Sequence, residues 1–228
     1  MPSATRCVAL YEALRCPEAQ ELNAVVIRSE GEMFCAGADL KEVANRDLRA
    51  VASSVDFWSA FRLSRPVLIC AVQGLALGLG AGIAMSSDVV IASDKAAFGY
   101  PEIQHGLVAS YMTVGLQQLM GTRKAFELVI TGRRVPAEEA LSLGMVTEVV
   151  APEDVEARAY EMARTIADRM PLAIHTTKKF FYEAIEMPFT QGIRASERVV
   201  NTIRQNKEVQ GRAAEFLDRG KSMSGDSS

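Results

Sequence analysis

The apolar positions along the chain change period several times. Ala24-Val25-Val26-Ile27 is a short continuous apolar run, Val67 to Val72 is a second, and Val89-Val90-Ile91 is a third. Short runs rich in β-branched side chains and bounded by turn residues predict buried strands. Helical spacing predicts helices near 3–15, over 46–63 and near 80–87, with a glycine turn over 74–80 leading into the last of these. Strands alternating with helices imply a parallel, mostly buried sheet. Beyond residue 112 the pattern turns helical. Thr122 is placed to cap a helix that stops at Gly132, Pro136 opens another that stops at Gly144, and Val146 to Val150 reads as a last strand. Amphipathic segments near 154–169, 171–186, 190–206 and 208–218 follow without a further strand. The expected organisation is an α/β core over 1–150 and a helical part over 151–228, with a Ser/Gly tail after Lys221 that frays.

One stretch competes with this reading. From Val67 to Met85 the only polar side chain is Gln73, close to the ~20 residues a bilayer span needs, and Gly74, Gly78 and Gly82 stand at GxxxG spacing. Its character changes midway, from β-branched after Pro66 to glycine-rich, as a strand, turn and helix would require. Composition supports a globular reading. The chain has 228 residues, 49% of them hydrophobic and 23% charged, and such a length buries ~70–75% of the unfolded surface without staples. The net charge is −3 and the signs balance in both halves, which leaves no basic stripe for nucleic acid or an anionic membrane. Cys7, Cys16, Cys35 and Cys70 form neither a C-x-x-C pair nor a zinc spacing, so they read as reduced thiols. The first residues lack the apolar core of a signal peptide. A cytoplasmic location is expected.

The candidate chemistry gathers at two loops. Gly74, Gly78, Gly80 and Gly82, between a strand and a helix, can bring backbone N–H groups close to a ligand, although they spell neither G-x-G-x-x-G nor a P-loop. Close packing of helix on sheet would need the same small residues. The loop Phe34-Cys-Ala-Gly-Ala-Asp-Leu-Lys-Glu42 also ends a strand, and Phe98-Gly-Tyr-Pro-Glu-Ile103 follows the glycine turn. The ordered set FCAGADLKEV, RPVLICAVQGLALGLGAGIAMSSDVVIASDKAAFGYPEI and ELVITGRRVPAEEALSLGMVTEVV resembles the enoyl-CoA hydratase/isomerase (crotonase) superfamily over nearly the whole chain.

That resemblance implies a crotonase-like (ClpP/crotonase) spiral ββα core and a helical C-terminal part that forms trimers, or hexamers as dimers of trimers. It implies an acyl-CoA thioester as substrate, with coenzyme A part of that substrate, no further cofactor and no metal. Two backbone N–H groups, those of Ala38 and Leu79, would hold the thioester oxygen on which enolate charge builds, one such donor being worth ~2.7–4 kcal/mol. The loop of Ala36, Ala38, Asp39, Leu40 and Lys41 would contact CoA. Glu102, in the Pro-Glu-Ile motif, would be the acid–base group.

The sequence departs from the family pattern in two places. Hydratases of the family usually hold water between two glutamates, and the position matching the second is Gly82. A single glutamate can still shuttle a proton from C2 to C4, which is Δ3-Δ2-enoyl-CoA isomerase chemistry. A hydratase working with Glu102 alone and a non-catalytic acyl-CoA-binding protein are the alternatives. Gly82→Glu is expected to restore hydration. Family members also precede this region with two strands and an Asn-Arg-Pro-x-x-x-Asn-Ala type of motif, whereas this sequence opens inside the helix near 3–15. Some pyrophosphate contacts would then be absent. His105, Tyr100 and Ser110-Tyr111 are candidates for lining the pocket, and His175 reads as structural.

Overall fold

The computed structural model describes residues 4–37 and 55–212. Its strands are β1 (Ala24–Arg28), β2 (Val67–Val72), β3 (Leu75–Leu77), β4 (Val89–Ser93), β5 (Ala97–Gly99), β6 (Arg134–Pro136) and β7 (Glu148–Val150). Two compact units divide the chain, Met1–His175 and Thr176–Ser228. All seven strands among the described residues belong to the first.

The apolar runs form one parallel sheet in the order β1-β2-β4-β7, with Ala24 opposite Val67, Ile69 opposite Val89 and Ile91 opposite Glu148. Alternation along β2 explains why the run is continuous. Ile69 and Ala71 face the helix Val155–Ala167 through Val155 and Ala159. Leu68 faces the other way, onto Phe57, Phe61, Leu79 and Ile83, and Cys70 and Val72 pack with Ala76, Phe98 and Val135. Both faces of the strand are therefore covered, and neither leaves room for a polar side chain.

A second sheet was not legible in the pattern. β3, β5 and β6 pair in the order β3-β5-β6, parallel between β3 and β5 and antiparallel between β5 and β6. Each strand is three residues long, too short to show an alternation, and β3 occupies part of what reads as a glycine turn. Corrections at the helix ends are small. Thr122 begins the helix Thr122–Thr131 behind Gly121 and makes no side-chain cap, while Pro136 precedes rather than opens the helix Ala137–Ser142. The helix expected over 46–63 is seen as Val55–Leu63, its remainder lying outside the described residues. No helix among the described residues is long and apolar enough to cross a membrane, because Val67–Met85 divides into β2, β3 and the helix Leu79–Ser86.

In the second unit the helix Phe189–Arg204 buries Ala195 and exposes Phe189, Ile193 and Val200. Residues 207–212 are helical, and the rest of the segment expected over 208–218 lies outside the described residues.

Candidate active site

Three segments meet at the C-terminal side of the paired strands. The loop after β1 is laid along β3: the Cys35 N–H donates to Leu75 O at 2.9 Å and the Leu77 N–H donates to Cys35 O at 2.8 Å. Gly80 permits this approach, since a Cβ there would come within 2.6 Å of Cys35 Cβ. At Gly78 the chain turns from β3 into the helix Leu79–Ser86 with φ 52° and ψ −115°, and the Gly78 N–H donates to Gly99 O at 2.8 Å. Leu79 is the first residue of that helix, so its N–H has no intrahelical carbonyl to donate to and stands at the positive end of the dipole.

Glu102 comes from the other direction. It lies in the short 3-10 helix Pro101–His105 that follows β5, closed by Gly106, whose N–H donates to the Glu102 and Ile103 carbonyls. The Gln104 Nε2 donates to Gly132 O at 3.0 Å and ties this turn to the loop before β6. The carboxyl is thereby brought against Gly78: a Cβ at position 78 would stand 2.8 Å from Glu102 Oε1 and 3.7 Å from Gly37 Cα. Glu102, the Gly78–Leu79 turn and the Gly37 loop therefore share one small space. Glu102 Oε2 is buried without a hydrogen-bond partner among the described residues. Burial pushes its pKa above the ordinary carboxylate value, against the smaller opposing effects of its own backbone N–H and of His105.

Of the residues expected at the site, Ala36, Leu79 and Glu102 are described and converge here, whereas Ala38, Asp39, Leu40 and Lys41 lie outside the described residues. His105 is exposed and acts on Glu102 only through its charge. Tyr111 is also exposed. His175 does have structural contacts, with Arg65 at 3.0 Å and Leu22 O at 3.2 Å. Asp88 accepts from the Leu68 N–H at 2.6 Å, so its carboxylate serves the strand end rather than the site.

Gly82 departs most from expectation. It is buried rather than open: a Cβ there would overlap Met112 Sδ and stand 2.7 Å from Trp58 Cη2. The place of a second carboxylate is filled by two apolar side chains. Sequence reasoning missed both, since neither Trp58 nor Met112 belongs to a motif and each is more than twenty residues from Gly82 in the chain. That Trp58 is the only tryptophan gave no signal of where it packs.

A turn that presents a helix-end N–H beside a half-buried carboxyl is an arrangement able to stabilise negative charge on an oxygen and to move a proton. The enoyl-CoA hydratase/isomerase family profile matches residues 4–226, and the chain belongs to that family of acyl-CoA enzymes. It is 32% identical over 203 residues to a protein of Mycobacterium tuberculosis named probable enoyl-CoA hydratase, covering 87% of this chain and 79% of that one. It is 36% identical over 184 residues to the carnitinyl-CoA dehydratase of Salmonella enteritidis, covering 76% and 69%. Among solved structures, an enoyl-CoA hydratase of Mycobacterium smegmatis superposes with a TM-score of 0.88 at 28% identity, over 96% of this chain and 87% of that one. The crotonase fold and its helical C-terminal part are thus those of the family.

Proposed function

We propose that the chain is a single-glutamate enolate enzyme of the Δ3-Δ2-enoyl-CoA isomerase type. The observation that carries this reading is the pair of surroundings just described: among the described residues, the Glu102 carboxyl with its Oε2 buried, and apolar Met112 and Trp58 packed on Gly82 where a second carboxyl would stand. The Glu102 carboxylate removes a C2 proton from a 3-enoyl-CoA. The electron pair moves into the thioester carbonyl, whose oxygen takes the N–H groups of Leu79 and Ala38, and the same carboxyl returns the proton at C4. The double bond moves into conjugation and no atom is gained or lost. Burial raises the Glu102 pKa above the ordinary carboxylate value, which makes the carboxylate a stronger base for the C2 proton. CoA would lie along the loop Ala36 to Lys41.

The test is turnover of 3-enoyl and 2-enoyl thioesters, followed by absorbance of the conjugated thioester. The expected result is isomerisation faster than hydration, abolished by Glu102→Gln. Efficient hydration without isomerisation would overturn it. A hydratase using Glu102 alone is the second reading, favoured by the hydratase and dehydratase names of the relatives. For assembly, the exposed Phe189, Ile193 and Val200 on one helix support a trimer or a dimer of trimers, and a stable monomer by light scattering at micromolar concentration would reject it. The free thiols of Cys16, Cys35 and Cys70 suit a reducing, cytoplasmic setting.

A further inference from the structure

Met112 and Trp58 give this site an apolar wall of its own. An added Cβ at Gly82 would overlap Met112 Sδ and stand 2.7 Å from Trp58 Cη2, so a thioether and an indole edge meet over one turn of the helix Leu79–Ser86. The Gly82 N–H donates to Gly78 O at 2.9 Å. Position 82 is therefore one turn, ~5.4 Å, beyond the place where Glu102 Oε1 meets Gly78. Glu102 and the wall are neighbours along the same helix start.

The two halves of the wall are held differently. Trp58 stands on the helix Val55–Leu63, edge-on to Phe57 at 4.9 Å between centroids and stacked on Phe61 at 6.1 Å, and packs on the cluster that includes Leu79 and Ile83. Met112 comes from the helix Ser110–Met120 and packs against Ala81, Tyr100, Leu116 and Ala125. Tyr100 is fully buried and its hydroxyl has no hydrogen-bond partner among the described residues, so apart from that one atom the backing of Met112 is apolar. Met112 and Trp58 themselves are only half-buried, which leaves apolar surface for a ligand to cover. Such a surface attracts hydrocarbon, and what it refuses is volume.

We propose that Met112 and Trp58 set the acyl specificity of the site: acyl carbons C3 and C4 run along them, and the wall selects thioesters with an unbranched chain over those carrying a methyl at C3. The inference rests on the reading of Glu102 as the acid–base group and of the Leu79 N–H as an oxyanion donor. With the thioester oxygen at that N–H, position 82 lies three residues further on, a rise of ~4.5 Å, comparable to the reach from the oxygen to C4 of the same chain. The carbons that follow C2 thus come to lie between Glu102 and the wall. A straight chain presents only C–H edges to the thioether and the indole. A C3 methyl adds a carbon where the indole, clamped by Phe57 and Phe61, cannot withdraw and only Met112 can move. One misfitted carbon in an apolar pocket is worth roughly 10–200-fold in kcat/KM. Met112 and Trp58 are specificity-determining residues in this scheme and take no part in proton transfer.

The experiment gives the full-length wild type, Met112→Ala and Glu102→Gln 3-pentenoyl-CoA and 3-methyl-3-pentenoyl-CoA, and follows the conjugated product by absorbance. The wild type should favour the unbranched thioester. In Met112→Ala that preference should fall on the order of 10–10²-fold, carried by a rise in kcat/KM on the branched substrate. A purely structural role would lower both rates alike, and comparing the two enzymes cancels the methyl group's own effect on reactivity. A second readout needs no variant. Trp58 is the only tryptophan of the chain, so wild-type tryptophan emission reports on this wall. Pentanoyl-CoA, which has no double bond to move, should change that emission, and free CoA at saturation should not. An unchanged preference in Met112→Ala, an equal change on both substrates, or emission that responds alike to CoA and pentanoyl-CoA would overturn the inference. If the wild type isomerises neither thioester, or Glu102→Gln isomerises like the wild type, the reading of Glu102 falls instead, and the emission titration still decides whether acyl carbons reach the wall.

Discussion

Gly78→Ala should damage stability and turnover together, and by separable routes. Its backbone, at φ 52° and ψ −115°, is open to glycine and closed to an L side chain without strain of ~1–3 kcal/mol. The added methyl would stand 2.8 Å from Glu102 Oε1 and 3.4 Å from Cδ. The first is too close, so the carboxylate oxygen must retreat from the turn that presents the Leu79 N–H. A kilocalorie per mole lowers Tm by about 2–4 °C in a chain of this size, so the strain alone predicts a fall of about 2–12 °C. Misplacing the base by about an ångström predicts up to ~10²-fold in kcat. Gly31→Ala supplies the control, because Gly31 has φ 88° with nothing within 4 Å of an added Cβ. It carries the strain without the collision. Thermal unfolding and isomerase turnover of the two variants separate the effects: Gly31→Ala should lose stability alone. A Gly78→Ala enzyme that turns over like Gly31→Ala would refute the placement of Glu102 against the turn.

Glu102→Gln should lower kcat at least ~10²-fold while CoA affinity holds, measured by steady-state kinetics and product inhibition. It also has a pH signature. Burial raises the folded-state pKa of Glu102, so the carboxyl contributes stability below its ordinary pKa that is lost as pH rises through the raised value. The Tm of Glu102→Gln relative to wild type should therefore grow across that window, and a flat difference would contradict it. Gly82→Ala should cost ~1–3 kcal/mol by overpacking against Trp58 and Met112. Met112→Ala should relieve part of this cost, giving a coupling of ~0.5–3 kcal/mol in a double-mutant cycle, and strict additivity in urea melts would refute the contact. Arg133 forks Glu127 at 2.6 and 3.0 Å and Glu139 at 2.6 and 2.8 Å. Its bonds lower both carboxyl pKa values, so this stability is present above the ordinary carboxylate range and lost as pH falls through the lowered values. Arg133→Ala should cost about 1 kcal/mol at neutral pH and low salt, and much less once the carboxyls are protonated.

The parallel sheet was legible because its strands are buried on both faces, and unbroken apolar runs such as Val67 to Val72 are what such burial requires. Glu102 and the Leu79 turn were legible through ordered motifs, since a tight turn, a helix start and a carboxyl must each sit at a fixed place in the chain. The second sheet was hidden by brevity. Three residues at β3 or β6 carry no period, and what pairs them is a long-range register that no local pattern encodes. Trp58 and Met112 were hidden for the same reason: their proximity to Gly82 is made by the packing of three helices. Tyr100 stood beside the Pro-Glu-Ile motif in plain view, yet an aromatic residue after a strand reads as core until its hydroxyl is found without a partner.

The surroundings of Gly82 also change what a reversion can do. Restoring a glutamate at that position looks like one substitution, adding the carboxylate that would hold water opposite Glu102. The space is already occupied: the first atom of any side chain there overlaps Met112 Sδ, and Trp58 Cη2 is 2.7 Å away. A thioether can swing aside, but the indole is held edge-on by Phe57 at 4.9 Å between centroids and stacked on Phe61 at 6.1 Å. Phe57 and Phe61 are themselves fully buried. A carboxylate pushed into that wall would be desolvated without a partner, and it would destabilise the chain before it could order a water. Gly82→Glu alone should therefore lower Tm and gain no hydration, whereas Gly82→Glu with Met112→Ala frees the volume beside the indole and should recover both. Hydration by the single variant faster than by the wild type would show that the Met112–Trp58 wall yields easily, and would weaken the case that packing, as much as the missing carboxylate, keeps this site to one acid–base group.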